Sequence, residues 1–114
     1  MSSSGSSGGG GFGGGQPEER DCNIIERVSL TSPVPAVIST LKKGDKLDVR
    51  IRTQAGRDSV VAHAPSGVIA GAIILSSVQR TRDLIECLRE GWHYDAIVLD
   101  IKGGLCNVEV RPRP

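Results

Sequence analysis

Residues 67–101 read GVIAGAIILSSVQRTRDLIECLREGWHYDAIVLDI, and the order of patterns inside this stretch decides the fold class. The apolar run Val68 to Ile74 is bounded by the Pro65-Ser66-Gly67 turn and by Ser76-Ser77, which predicts a strand. Thr81, Leu84, Ile85 and Leu88 then recur at i, i+3, i+4 and i+7, the stripe of a helix with one buried face. Ser76 and Gln79 have the spacing of a capping box at its start, and Gly91 stands where a left-handed residue ends a helix. Tyr94 to Ile101 is apolar on both faces apart from Asp95 and Asp100, the mark of a central strand or of one closed into a barrel. Gly71, inside the first strand, predicts a bulge or a place where another backbone lies too close for a side chain.

Outward from this unit, Lys102-Gly103-Gly104 predicts a tight hairpin turn into a last strand, where Cys106, Val108 and Val110 alternate with Asn107, Glu109 and Arg111. On the N-terminal side, Leu47, Val49 and Ile51 alternate with charged residues from Lys46 to Thr53, so one face is buried and the other meets water. A turn holding Gly56 leads to a strand over residues 59–64. Earlier still, residues 24–30 predict a strand that Pro33 stops, and Pro35 to Lys43 a short helix ending at Gly44. The expectation is a mainly β chain with α elements (α+β): a small antiparallel β-barrel in the order strand, short helix, three strands, helix, two strands.

The chain has 114 residues, enough for one domain. Residues 1–15 are five Ser, eight Gly, Met1 and Phe12, too little apolar area to offset ordering the backbone, so residues 1–21 are expected to be a flexible tail or linker. Residues 22–114 are then a single domain. From Asp21 onward 13 Lys plus Arg face 11 Asp plus Glu, a net of +2 that lacks the broad basic field of a non-specific nucleic-acid binder; such a role needs locally clustered charge. No apolar stretch of about 18 residues and no secretory pattern is present, so no membrane association is expected.

Cys22, Cys87 and Cys106 are odd in number, at spacings of 65 and 19 residues, and predict three reduced thiols in a cytoplasmic protein. With His63 and His93 they offer no ligand spacing, so no metal or other cofactor is expected. No Ser or Cys has the context of an activated nucleophile, and the Gly-rich tail lacks the Lys of a phosphate loop. The expected activity is therefore non-enzymatic binding.

The strand order is similar to that of the oligonucleotide-binding barrel. More loosely, Gly67-Val-Ile-Ala-Gly-Ala-Ile, Thr81-Arg-Asp-Leu-Ile-Glu-Cys-Leu-Arg-Glu-Gly and Tyr94-Asp-Ala-Ile-Val resemble the second half of HIRAN domains. The resemblance covers residues 46–111 and implies a small barrel that recognises DNA ends. The Asn/Asp-rich segment before the third strand of that family is missing, and no DNA-contacting position carries over. From the residues themselves, the charged face of the Lys46 strand supplies Lys46, Arg50 and Arg52, with Arg57 close by, as contacts for the phosphates of single strands or DNA ends. The alternative is a protein-interaction module with a flexible tail, docking through a barrel edge or through Trp92 and Tyr94.

Overall fold

The structure, a computed structural model, describes residues 21–114. The tail expected over residues 1–21 lies, but for Asp21, outside the described residues. The elements are β1 (Glu26–Ser29), α1 (Pro35–Ile38), β2 (Lys46–Gln54), β3 (Arg57–His63), β4 (Ile69–Ile73), α2 (Val78–Arg89), β5 (Tyr94–Lys102) and β6 (Leu105–Pro112). The six strands form one antiparallel sheet in the order β1-β6-β5-β2-β3-β4.

The sheet does not close into the expected barrel. Among the described residues, its outer strands meet only where Thr31, just beyond β1, makes an isolated bridge with Ala72, helped by the Val34 N–H donating to the Ala70 carbonyl. On one side of the bridge Ser32 takes a left-handed φ of 49° and Pro33 has no N–H to give. On the other side the chain leaving β4 spends its donors elsewhere: the Leu75 N–H goes to Thr81 Oγ1 and the Ser76 N–H to Glu26 Oε1. Pairing therefore stops after one bridge.

The inner face of the sheet carries the core. Leu47, Val49, Val60, Ala62, Ile73, Ala96, Val98, Val108 and Val110 are buried there, as the alternation in each strand requires. Leu84 and Cys87 of α2 are fully buried against them, with Ile85 and Leu88 partly so. Burying a leucine of this kind is worth about 1.5–3 kcal/mol in area removed from water. Gly71 marks a close approach: a Cβ there would lie 3.0 Å from Leu30 Cβ and 3.2 Å from the Thr31 carbonyl. A bulge lies beside it on the same strand, since Ala62 pairs with Gly71 but His63 with Ile69, which leaves Ala70 as the extra residue.

Several local expectations are corrected. The cap of α2 is Ser77, whose hydroxyl accepts from the Arg80 N–H at 3.1 Å, while Gln79 turns to Asp83; the Ser76–Gln79 box does not form because Ser76 gives both its N–H and its hydroxyl to Glu26. The α1 helix is one turn and not nine residues, because the Ser39 and Thr40 hydroxyls bond back to the Ala36 and Val37 carbonyls and compete with its continuation. Ile24 is buried yet unpaired, so the first strand is shorter than its apolar run.

The largest correction concerns the thiols. Cys22 and Cys87 form a disulfide, their Cα atoms 5.8 Å apart, where three free thiols were expected. Sequence spacing could not show it, since 65 residues separate Cys22 from Cys87 on the buried side of α2, and only the fold lays them side by side. Cys106 remains free and buried, and burial, aided by the Asp100 charge, pushes its thiol pKa up. Among the described residues no helix is long and apolar enough to cross a membrane.

Candidate nucleic-acid interface

Pairing partners share a face, so the register fixes what the outer side of the sheet presents. Lys46, Asp48, Arg50 and Arg52 alternate outward along β2, and Arg57 joins them opposite Gln54. All four predicted cations, Lys46, Arg50, Arg52 and Arg57, are exposed. On the other flank Asp48 pairs with Asp95, which pairs with Arg111, and Arg113 follows two residues on, its N–H on the His93 carbonyl. Arg111 and Arg113 were missed in the sequence reading. The alternation of Asn107, Glu109 and Arg111 already pointed them to this face.

The cations are of two kinds. Arg50 donates to Asp48 at 2.6 Å, and Arg113 spans Asp48 at 2.9 Å and Asp95 at 2.8 Å. Burial raises the Asp48 pKa, but hydrogen bonds from Arg50 and Arg113 outweigh it and hold the carboxyl below its usual value. The same bonds to Asp95 and Asp48 raise the Arg113 pKa. Arg50 and Arg113 are thus oriented by carboxylates. Lys46, Arg52, Arg57 and Arg111 have no ion-pair or hydrogen-bond partner for their side chains among the described residues. Asp58, beside Arg57, is taken by Arg89 and Thr53, and Glu109 by Arg27 at 3.5 Å.

At the head of this row stands Trp92, 43% exposed. It sits in the turn that Gly91, with φ of +105°, opens at the end of α2. Its ring stacks on Tyr94 with centroids 6.3 Å apart and planes 25° apart. Tyr94 itself is completely buried, its hydroxyl donating to the Cys22 carbonyl, and its pKa is pushed up to about 12 by burial and by the charges of Asp21 and Glu90. The expected surface pair is therefore one exposed ring backed by a hidden one. The inward parity of Ala96 and Val98 on β5 carries the signal that Tyr94 faces the core.

Trp92 lies between two clefts. The larger, about 540 Å³, is lined by Asn23, Ile25, Lys46, Arg111 and Pro112; the smaller, about 390 Å³, by Asp48, Arg50, Leu88 and His93. The structure thus brings Lys46 and Arg50 to Trp92. Arg52 and Arg57 lie outside both clefts toward the β2–β3 hairpin, with Arg52 six residues or about 20 Å along the strand from Lys46.

Two further surfaces bear on function. Ile74, Val78 and Ile85 line an apolar groove of about 430 Å³ at the start of α2, with Val78 74% exposed. His63 contacts the Gly67 carbonyl through Nδ1, and among the described residues no group of three His, Cys, Asp or Glu side chains is placed to hold a metal ion. Comparison of the chain with protein-family models, with curated proteins and with solved structures finds no match.

Proposed function

We propose that this domain is a non-enzymatic module that binds single-stranded nucleic acid, or the frayed ends of a duplex, across the outer face of its sheet. The observation that carries the reading is the exposed Trp92 flanked by cations on both sides, at one end of a face where Arg27, Lys46, Arg50, Arg52, Arg57, Arg111 and Arg113 outnumber Asp48, Asp95, Asp100 and Glu109. A base stacks on Trp92, with Tyr94 fixing the ring from behind. Phosphates meet Lys46 and Arg111 at the cleft and Arg52 and Arg57 further along. Aromatic stacking and a basic track together bind strands with little regard to sequence. The likeness of the strand order to oligonucleotide-binding and HIRAN barrels supports the same reading.

A titration of labelled single-stranded DNA at several salt concentrations tests it. Each neutralised phosphate contributes about −0.7 to the log–log slope. Replacing Arg50 and Arg52 together by Gln should weaken binding for all sequences alike and flatten the slope, since backbone contacts carry no sequence information. Unchanged binding by the double variant contradicts the assignment. The second reading, a protein-interaction module, is favoured by the exposed Ile74 and Val78 beside an apolar groove. It takes precedence if the wild-type protein binds no nucleic acid at ~50 mM salt. A cytoplasmic location drew on three reduced thiols, and the Cys22–Cys87 bond removes that support.

A further inference from the structure

Residues 21–25 belong to no strand, and no backbone hydrogen bond ties them to another part of the described chain. Among the described residues three things hold them: the buried Ile24 side chain, the Tyr94 hydroxyl on the Cys22 carbonyl, and the bond from Cys22 to Cys87. Asn23, Ile25 and Trp92 all line the larger cleft. The Trp92 N–H donates to the Cys87 carbonyl at 3.0 Å. Each half of the disulfide is therefore joined to a residue that lines the cleft, Cys22 by a peptide bond to Asn23 and Cys87 by a hydrogen bond to Trp92.

We propose that the Cys22–Cys87 disulfide is a redox latch on this cleft. Oxidised, it ties the Asn23 segment to the turn that carries Trp92 and keeps the Cys22 carbonyl over the Tyr94 hydroxyl. Reduced, the segment around Cys22 lifts, the cleft widens, and the Trp92–Tyr94 stack opens as a two-ring platform. Resting on the single-strand reading of the site, the latch makes the reduced protein the stronger binder. The step is thiol–disulfide exchange with a dithiol reductant. A reductant thiolate attacks Cys22 Sγ, on the residue that is 6% exposed where Cys87 is fully enclosed, and Cys87 leaves as a thiolate that takes up a proton. The second reductant thiolate then displaces Cys22 from the mixed disulfide, leaving two protein thiols and one reductant disulfide. Cys106, buried on the inner face of β6, takes no part.

Trp92 is the chain's one tryptophan, so its fluorescence reports the cleft directly. The experiment measures acrylamide quenching and oligo-dT affinity for the oxidised protein, for the protein reduced with dithiothreitol, and for Cys22→Ser without reductant, with far-UV circular dichroism on each. Quenching should rise toward that of a free indole in the reduced and Cys22→Ser forms alike. Affinity for oligo-dT should rise about fivefold or more, the worth of one further stacked base. Unchanged quenching, equal affinity of two binding forms, or cooperative loss of the fold on reduction overturns the latch. If quenching rises while no form binds oligo-dT, the latch stands and the nucleic-acid reading falls. If quenching stays unchanged while the forms bind equally, the latch falls and that reading stands.

Discussion

Replacing Cys22 and Cys87 together by Ala removes a crosslink between residues 65 apart in sequence. In the chain-entropy account, a closed loop of this length restricts the unfolded chain enough to stabilise the folded one by about 4 kcal/mol. A domain of ~94 residues has about 5–14 kcal/mol in total, so the variant should fold but with much of its reserve gone. Urea unfolding followed by far-UV circular dichroism reads the loss. With a denaturant slope of about 1–3 kcal/mol/M, the midpoint should fall by about 1–4 M, and reduction of the wild type should reproduce the fall. Thiol titration of the unfolded, unreduced wild type should find one thiol, that of Cys106. A loss below ~1 kcal/mol, or three titratable thiols, refutes the reasoning that a 65-residue crosslink anchors residues 21–25.

The helix and the Glu26 contact give two further tests. Leu84→Ala should cost about 2–5 kcal/mol in the same urea assay, because Leu84 is fully buried between α2 and the sheet; a loss under ~1 kcal/mol would place the helix outside the core. Burial raises the Glu26 pKa, but hydrogen bonds from Arg80 and Ser76 outweigh it and hold the carboxyl below its usual 4.5. Its contribution is therefore complete above that value and is lost as pH falls through the lower folded value. Glu26→Gln should flatten the acid limb of the stability curve, and an acid limb that matches wild type would show that the contact does not form.

How much of this was legible in the sequence depended on the range of the interaction. Alternation in Lys46 to Thr53 and the stripe Thr81, Leu84, Ile85, Leu88 fixed which side of each element is buried, because those patterns report a local period. The stop at Gly91 was legible for the same reason. Which strands become neighbours, and whether the outer two join, turns on a few backbone donors such as those of Leu75 and Ser76, the first taken by Thr81 and the second by Glu26, which reaches over from 50 residues away. No local pattern encodes that choice. The candidate site shows the same division. The exposure of Lys46, Arg50, Arg52 and Arg57 followed from parity within one hairpin, but the meeting of Lys46 with Trp92 and Arg111 required the β2–β5–β6 register. Cys22 and Cys87 lay furthest from reach, since neither has a sequence neighbour that marks it as paired.

The claim at the centre of this account is that Trp92 is a stacking surface for bases within a basic face. Titrating the reduced protein with a short oligo-dT strand at ~50 mM salt, while following its single tryptophan, tests that directly. The account predicts saturable quenching of Trp92 that weakens steeply as salt is raised and is diminished by Lys46→Gln with Arg111→Gln. Fluorescence that stays flat throughout the titration, or quenching indifferent to salt and to those substitutions, would contradict it.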